Sequence, residues 1–229
     1  MTERIPVAPP DEDPNAEILC ASPPCFMHEL DPSWLGPPDW EAVRAWRRTE
    51  RARLIALRAA VPLAGRRARD LVITAHLRAA VPDLGQRHVG FYWPFKGEFD
   101  PRPLARALHA AGVRLALPVV LQRAQPMVFR PWWPGIRMTR GIWDIPVPAE
   151  GRPVRPDTLL IPLVGFDARG YRLGHGGGYY DRTLAAMPRR PLAIGIGFES
   201  LRLQTIHPQP HDIPMDLIVT ELGAVRAVP

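Results

Sequence analysis

The chain has 229 residues, with 28 arginines, a single lysine at Lys96 and 29 prolines, about 13% of the residues against a usual ~5%. Two cysteines exclude a disulfide framework and a four-cysteine zinc module, and no apolar run approaches the ~18 residues of a membrane span. The net charge of +6 divides unevenly: residues 1–40 carry one Arg and eight acids, residues 41–229 carry 28 basic and 15 acidic side chains. The opening residues lack a signal-peptide core, so the expectation is a soluble, cytoplasmic protein. A body of charge +13 suits an anionic partner, whether nucleic acid, a phosphorylated small molecule or another polyanion. Compositional drift from Lys to Arg accounts for the same numbers.

Residues 1–38 hold nine prolines, the acidic cluster Asp11, Glu12 and Asp13, and no apolar periodicity. They read as an acidic, proline-rich arm, with the folded domain at 39–229. Cys20, Cys25 and His28 are metal-ligand types without a fourth partner. Phe26, Met27, Leu30, Trp34 and Leu35 read instead as pins that hold the arm to a surface.

Asp39 offers an N-cap, and helix formers continue to residue 60 with Val43, Trp46, Leu54, Leu57 and Val61 near helical spacing. A second helix is predicted over 65–80. His88-Val-Gly-Phe-Tyr-Trp93 reads as a buried strand closed by Pro94. Pro101 and Pro103 open a helix that Gly112 ends, and Arg114-Leu-Ala-Leu117 is the next strand. Met127-Val-Phe-Arg130 reads as a strand and 132–156 as loop-rich. Apolar strands follow at 158–164 and 192–198, with a helix over 179–187 between them and short strands near 217–219 and 224–228. Apolar strands alternating with helices predict an α/β three-layer, Rossmann-like sandwich around a largely parallel sheet.

The densest chemical signal is Phe166-Asp-Ala-Arg-Gly-Tyr-Arg172-Leu-Gly174-His175-Gly176-Gly177-Gly178-Tyr179-Tyr180-Asp181-Arg182. It lies between a buried strand and a helix, at the sheet edge where open α/β folds bind ligands. Glycines let successive N–H groups approach a phosphate, and the helix start adds a positive dipole end. Arg172 supplies fixed charge, the tyrosines stacking faces, and Asp181 a hard oxygen ligand for Mg²⁺. A tight turn is the alternative use of the glycines. Neither a Walker loop nor the dinucleotide fingerprint fits, because Gly-Lys-Ser/Thr and the third fingerprint glycine are absent.

This loop resembles the signature of the 5-formyltetrahydrofolate cyclo-ligase (5,10-methenyltetrahydrofolate synthetase) family, Arg-Leu-Gly-Tyr-Gly-Gly-Gly-Tyr-Tyr-Asp-Arg after an apolar strand and a Phe-Asp. Tyr92-Trp93-Pro94-Phe95-Lys96-Gly97-Glu98-Phe99-Asp100, Leu117-Pro118-Val119 and His211-Asp212-Ile-Pro-Met-Asp216-Leu-Ile-Val-Thr220-Glu221 are similar to further family segments and arrive in the family's order. Together they cover about residues 44 to 222.

The resemblance implies an ATP- and Mg²⁺-dependent ligase of one-carbon metabolism that converts 5-formyltetrahydrofolate to 5,10-methenyltetrahydrofolate, ADP and phosphate. It implies Glu98 and Arg172 as catalytic residues. ATP would meet Arg47, Arg48, Arg51, Arg172, Gly174, His175, Gly176, Gly177, Gly178, Tyr179 and Tyr180. Trp93, Lys96 and Glu98 would meet the folate, and Asp181 and Asp216 the metal. Core packing is the other reading of Trp93, a solvated loop acid that of Glu98, and a solvated helix face that of Arg47, Arg48 and Arg51. Three departures stand out. Arginine replaces the family's lysine in the first helix, His175 takes the place of a tyrosine, and Asp144 falls one residue short of the usual Glu-Pro position. These leave a nucleotide- or folate-binding protein without turnover as the second reading, and an RNA-binding module as the third, with a monomer favoured and no membrane partner.

Overall fold

A computed structural model describes residues 39–227. The arm with Cys20, Cys25 and His28 lies outside the described residues, and Ala42–Pro229 form one compact unit, distinct from Met1–Glu41.

Two helices open the described chain, α1 (Trp40–Ala59) and α2 (Leu63–Ala80). Asp39 caps the first by accepting the Glu41 amide at 3.0 Å, as its place in the sequence predicts. There follow β1 (His88–Gly90), α3 (Arg102–Ala110), β2 (Arg114–Val119), β3 (Val128–Trp132), β4 (Met138–Arg140) and β5 (Pro146–Pro148). The second half holds β6 (Thr158–Pro162), β7 (Gly165–Phe166), β8 (Arg172–Leu173), α4 (Tyr179–Ala186), β9 (Leu192–Ile196), β10 (Leu217–Thr220) and β11 (Gly223–Arg226).

Seven strands form one sheet in the order β11-β10-β9-β6-β1-β2-β3. The five inner strands are parallel, while β3 and β11 pair antiparallel at the two edges. Continuous apolar runs such as Leu-Ile-Val in β10 suit this position, since an inner parallel strand is covered on both faces. The crossovers β1–α3–β2 and β6–α4–β9 run in opposite directions across the sheet. Right-handed connections then put α3 and α4 on opposite faces. Leu54, Ile73 and Leu77 turn the inner faces of α1 and α2 into a core shared with Phe91, Phe129, Phe166 and Phe198.

The structure departs from the sequence reading in the loops. Segment 132–156, predicted as loop, contains the β4–β5 hairpin. A second hairpin, β7–β8, separates β6 from the glycine loop. Asp167 makes its turn by accepting the Arg169 and Tyr171 amides at 3.0 and 3.1 Å. Among the described residues no helix is long and apolar enough to cross a membrane.

Candidate active site

The order of the parallel strands reverses between β1 and β6, and in such a sheet the carboxyl ends of the two diverging strands leave a crevice. A cavity of ≈ 350 Å³ opens there. Tyr92, Trp93, Phe95, Lys96 and Glu98 enter it from the segment after β1, Pro118 and Val120 from the end of β2, and Pro162 from the end of β6. Ile142, Trp143 and Ile145 close one side, and Arg172, Gly174, His175 and residues 177–181 form the other. A second depression of ≈ 580 Å³ lies at the opposite strand ends, around Arg87, Arg155, Arg189 and Arg190. Two of its arginines are already paired, Arg87 with Asp83 and Arg190 with Asp216.

Helix α1 shapes the first cavity through side chains that look solvated in sequence. Arg47, Arg51, Leu54 and Arg58 fall at i, i+4, i+7 and i+11, on one helix face, and that face turns inward. Arg58 is 2% exposed. It donates to the carbonyls of Lys96 and Leu163 at 3.0 Å and Phe95 at 3.4 Å, and lies 3.6 Å from the Glu98 carboxylate. Burial lowers its pKa against the opposing pull of Glu98, yet a guanidinium keeps its charge. Arg51 donates through Nε to the Gly174 carbonyl at 2.7 Å, so the helix grips the glycine loop directly. Burial, then Arg47 and Arg48, lowers the Arg51 pKa as well.

Glu98 sits at the meeting point of these elements, with its side chain 4% exposed. One oxygen accepts the Phe95 amide at 2.9 Å, and the other lies 2.8 Å from Nε2 of His175. The turn carrying it passes through Gly97 at φ 76°, where a Cβ would come within 2.8 Å of Arg66 Nη1 and 3.4 Å of the Arg58 carbonyl. Only glycine fits that approach without strain. Tyr92 donates to the Phe99 carbonyl at 3.1 Å. Burial pushes the Tyr92 and Tyr180 hydroxyls up, and the nearby Glu98 charge adds to both shifts.

In the glycine loop, Arg172 donates to Asp181 at 2.8 Å and to the Ile213 carbonyl at 3.1 Å, while the second Asp181 oxygen accepts the Ile213 amide at 3.1 Å. Arg172 also lies 5.8 Å from the Tyr180 ring centre. Gly178, at φ 60°, turns the chain into α4. Tyr179 packs against Gly177, with the Trp143 ring edge-on at 5.3 Å.

The structure therefore brings Trp93, Lys96, Glu98, Arg172, Gly174, His175, Gly177, Gly178, Tyr179, Tyr180 and Asp181 to one cavity, with Arg51 and Gly176 against the same loop. Others expected there are elsewhere. Arg47 is occupied by Asp212 and the carbonyls of Ile206 and His207. Arg48 is exposed on α1. Asp216 lies at the amino ends of the strands, bound to Arg190 and the Ala193 amide, so it does not share a site with Asp181. Asp144 points to the surface beside Arg140.

No group of three or more His, Cys, Asp or Glu side chains among the described residues forms a cage for a cation. Asp181 has both oxygens engaged. The donor set thus does not fit a protein-held Mg²⁺; such an ion keeps water and phosphate oxygens as ligands and arrives with a nucleotide.

Two site residues escape sequence reading. Arg58 hides in a helix that looks basic and solvated, though its spacing from Arg47 and Arg51 marks the shared face. Trp143 stands beside the carboxylate that drew notice to its segment, and it is Trp143 that reaches the cavity.

Residues 43–221 match the family model described as the 5-formyltetrahydrofolate cyclo-ligase family. The chain is 34% identical over 139 residues to the 5-formyltetrahydrofolate cyclo-ligase of Escherichia coli K12, covering 58% of this chain and 76% of that protein. Its fold is similar to the solved 5,10-methenyltetrahydrofolate synthetase of Aquifex aeolicus, at 28% identity and TM-score 0.70 over 80% of this chain and 93% of that one. It is also similar to the synthetase of Mycoplasma pneumoniae, at 25% identity and TM-score 0.62 over 76% and 98%. With the match spanning β1 to β10 and every segment that lines the cavity, the chain belongs to the 5-formyltetrahydrofolate cyclo-ligase family.

Proposed function

We propose that this cavity carries out the ATP-dependent cyclisation of 5-formyltetrahydrofolate to 5,10-methenyltetrahydrofolate, releasing ADP and phosphate. The observation that carries the reading is the convergence on one cavity of a buried carboxylate, an aromatic wall and a glycine loop gripped by arginines. A formyl amide is a poor electrophile. Transfer of the γ-phosphoryl group to its oxygen makes that oxygen a leaving group. Folate N10 then attacks the activated carbon, N10 gives up its proton, and phosphate departs with the electrons of the carbon–oxygen bond.

Each demand has a residue to meet it. Phosphoryl transfer needs alignment and positive charge rather than covalent help, and the loop amides, Arg51 and Arg172 supply both. Arg172 is held by Asp181 and the Ile213 carbonyl, so its charge is fixed before substrate enters. Mg²⁺ bound with ATP would neutralise phosphate charge. Tyr92, Trp93, Phe95 and Trp143 offer stacking and apolar surface to a pterin. Glu98 takes the N10 proton or holds the pterin amine groups. Lys96 reaches toward the phosphate or the glutamate tail of the substrate. His175 leaves Glu98 in place, which favours turnover over binding alone.

The test is direct. Purified protein given MgATP and 5-formyltetrahydrofolate should develop the methenyl chromophore with one ADP formed per product. Absence of both signals, while the E. coli relative is active in the same buffer, would overturn the reading.

A further inference from the structure

The three consecutive glycines of the loop each have a side chain pressed against them. A Cβ on Gly176 would stand 3.2 Å from Cζ of Arg51, and one on Gly177 within 2.6 Å of the Tyr179 ring. On Gly178 it would stand 3.1 Å from Nη1 of Arg182. Two arginines are therefore seated on the loop backbone, Arg51 from α1 and Arg182 from α4. Arg51 donates to the Gly174 carbonyl at 2.7 Å, and Arg182 donates through Nη2 to the Gly177 carbonyl. The Arg182 guanidinium lies 5.4 Å from the Tyr179 ring centre, and its Nε is buried with no partner among the described residues. The side chain is held by its tip.

Neither Arg51 nor Arg182 lines the cavity, whereas Gly174, His175, Gly177 and Gly178 do. These peptides are trans, so each carbonyl and the N–H that follows it point in opposite directions. Carbonyls held away from the cavity at Gly174 and Gly177 turn the amides of His175 and Gly178 toward it. The amides of residues 175–178 make no hydrogen bond to another described residue. Fixed, unpaired N–H groups on a glycine loop are donors waiting for an anion.

We propose that Arg182 is a positioning residue for this loop, the counterpart of Arg51, and that it aims the Gly178 amide at the nucleotide phosphates. The proposal rests on the nucleotide half of the cyclo-ligase reading. The peptide it holds has glycine on both sides and, once released, turns with little steric hindrance. Donors fixed before the ligand arrives bind it without a further ordering cost. Arg172 differs, because it lines the cavity and faces the ligand itself.

The experiment compares wild type, Arg182→Met, Arg182→Lys and Arg189→Met by calorimetry with MgADP and with adenosine, and by steady-state kinetics. Methionine keeps the stem and removes every donor. Arg182→Met should weaken MgADP about 10- to 100-fold, while adenosine, which has no phosphate, stays within about twofold. KM for ATP should rise in proportion, with KM for the formyl-folate within about threefold. Arg182→Lys keeps a charged donor and should show the same pattern at about fivefold, which also serves if the methionine variant does not fold. Arg189→Met removes the same charge at the opposite strand ends and should bind MgADP as wild type does. Gly-Gly peptides occur in this sequence only at 176–178, so carbonyl-¹³C, ¹⁵N-glycine labelling isolates the Gly177 and Gly178 amides. Their signals should shift in empty Arg182→Met, which loss of a side chain that only met phosphate would not cause. Equal losses for MgADP and adenosine, or unchanged Gly-Gly signals, would overturn this proposal alone. Arg182-dependent MgADP binding in a chain without turnover would overturn cyclisation and uphold this proposal. A wild-type chain that binds neither ADP nor ATP would overturn both.

Discussion

Arg58 is a buried cation surrounded by three carbonyls and a carboxylate, so removing it leaves Glu98 without its charge partner. Arg58→Met is expected to cost about 3–5 kcal/mol, read as a lower Tm and urea midpoint. Glu98→Gln retains the hydrogen-bonding shape and removes the base. Its kcat should fall about 10²- to 10⁴-fold with Tm near wild type. Asp70 is a carboxyl whose burial works against ionisation, and its Oδ1 has no hydrogen-bond partner. Its folded-state pKa of about 6 lies above the unfolded value, so the native chain binds the extra proton between about pH 4 and 6. The contribution is therefore favourable at low pH and is lost as pH rises through 6. Asp70→Asn should raise stability at pH 7.5 by about 1–2 kcal/mol in urea denaturation, a gain that shrinks toward pH 4.

At the level of elements, legibility follows how local the signal is. β6, β9 and β10 are apolar runs bounded by turn residues, and the glycine loop is a contiguous motif, so both can be read from sequence. Pro146 and Pro148 mask the β4–β5 hairpin, and β7 and β8 are two residues each, too short for any period to show. The basic face of α1 can be grouped by its spacing, but that it turns inward is hidden for a different reason. Its partners are carbonyls and acids 37 to 165 residues away, which no local pattern records. Trp143 at φ 57° and Asp144 at φ 61° form a left-handed pair that no residue pattern announces, and the indole lines the cavity. Two tests belong at this scale. Arg51→Ala frees the glycine loop from α1 and should raise KM for ATP about tenfold, with a smaller change in kcat. Gly97→Ala forces a side chain into left-handed backbone and should cost about 1–3 kcal/mol, read as a lower melting temperature.

For the molecule as a whole, the charge of +13 on residues 41–229 gains a place as well as a sign. Part of it lines a cavity, and part is spent on internal pairs such as Arg47 with Asp212. A ligand that binds the native chain alone stabilises it by mass action. MgATP at a hundred times its Kd should add about 2.7 kcal/mol, visible as a rise of several degrees in Tm. Arg47 and Arg58 have a consequence for how the chain comes into being. Both lie in the first described helix, yet Arg58 waits for the carbonyl of Leu163 and Arg47 for Ile206, His207 and Asp212. On the ribosome, which emits the amino end first, α1 is made early and its seat is complete only after Asp212 has emerged. Nascent chains halted before Ile206 should hold α1 by Arg51 and Arg58 alone, with the Arg47 end loose until residues 206–212 have been made.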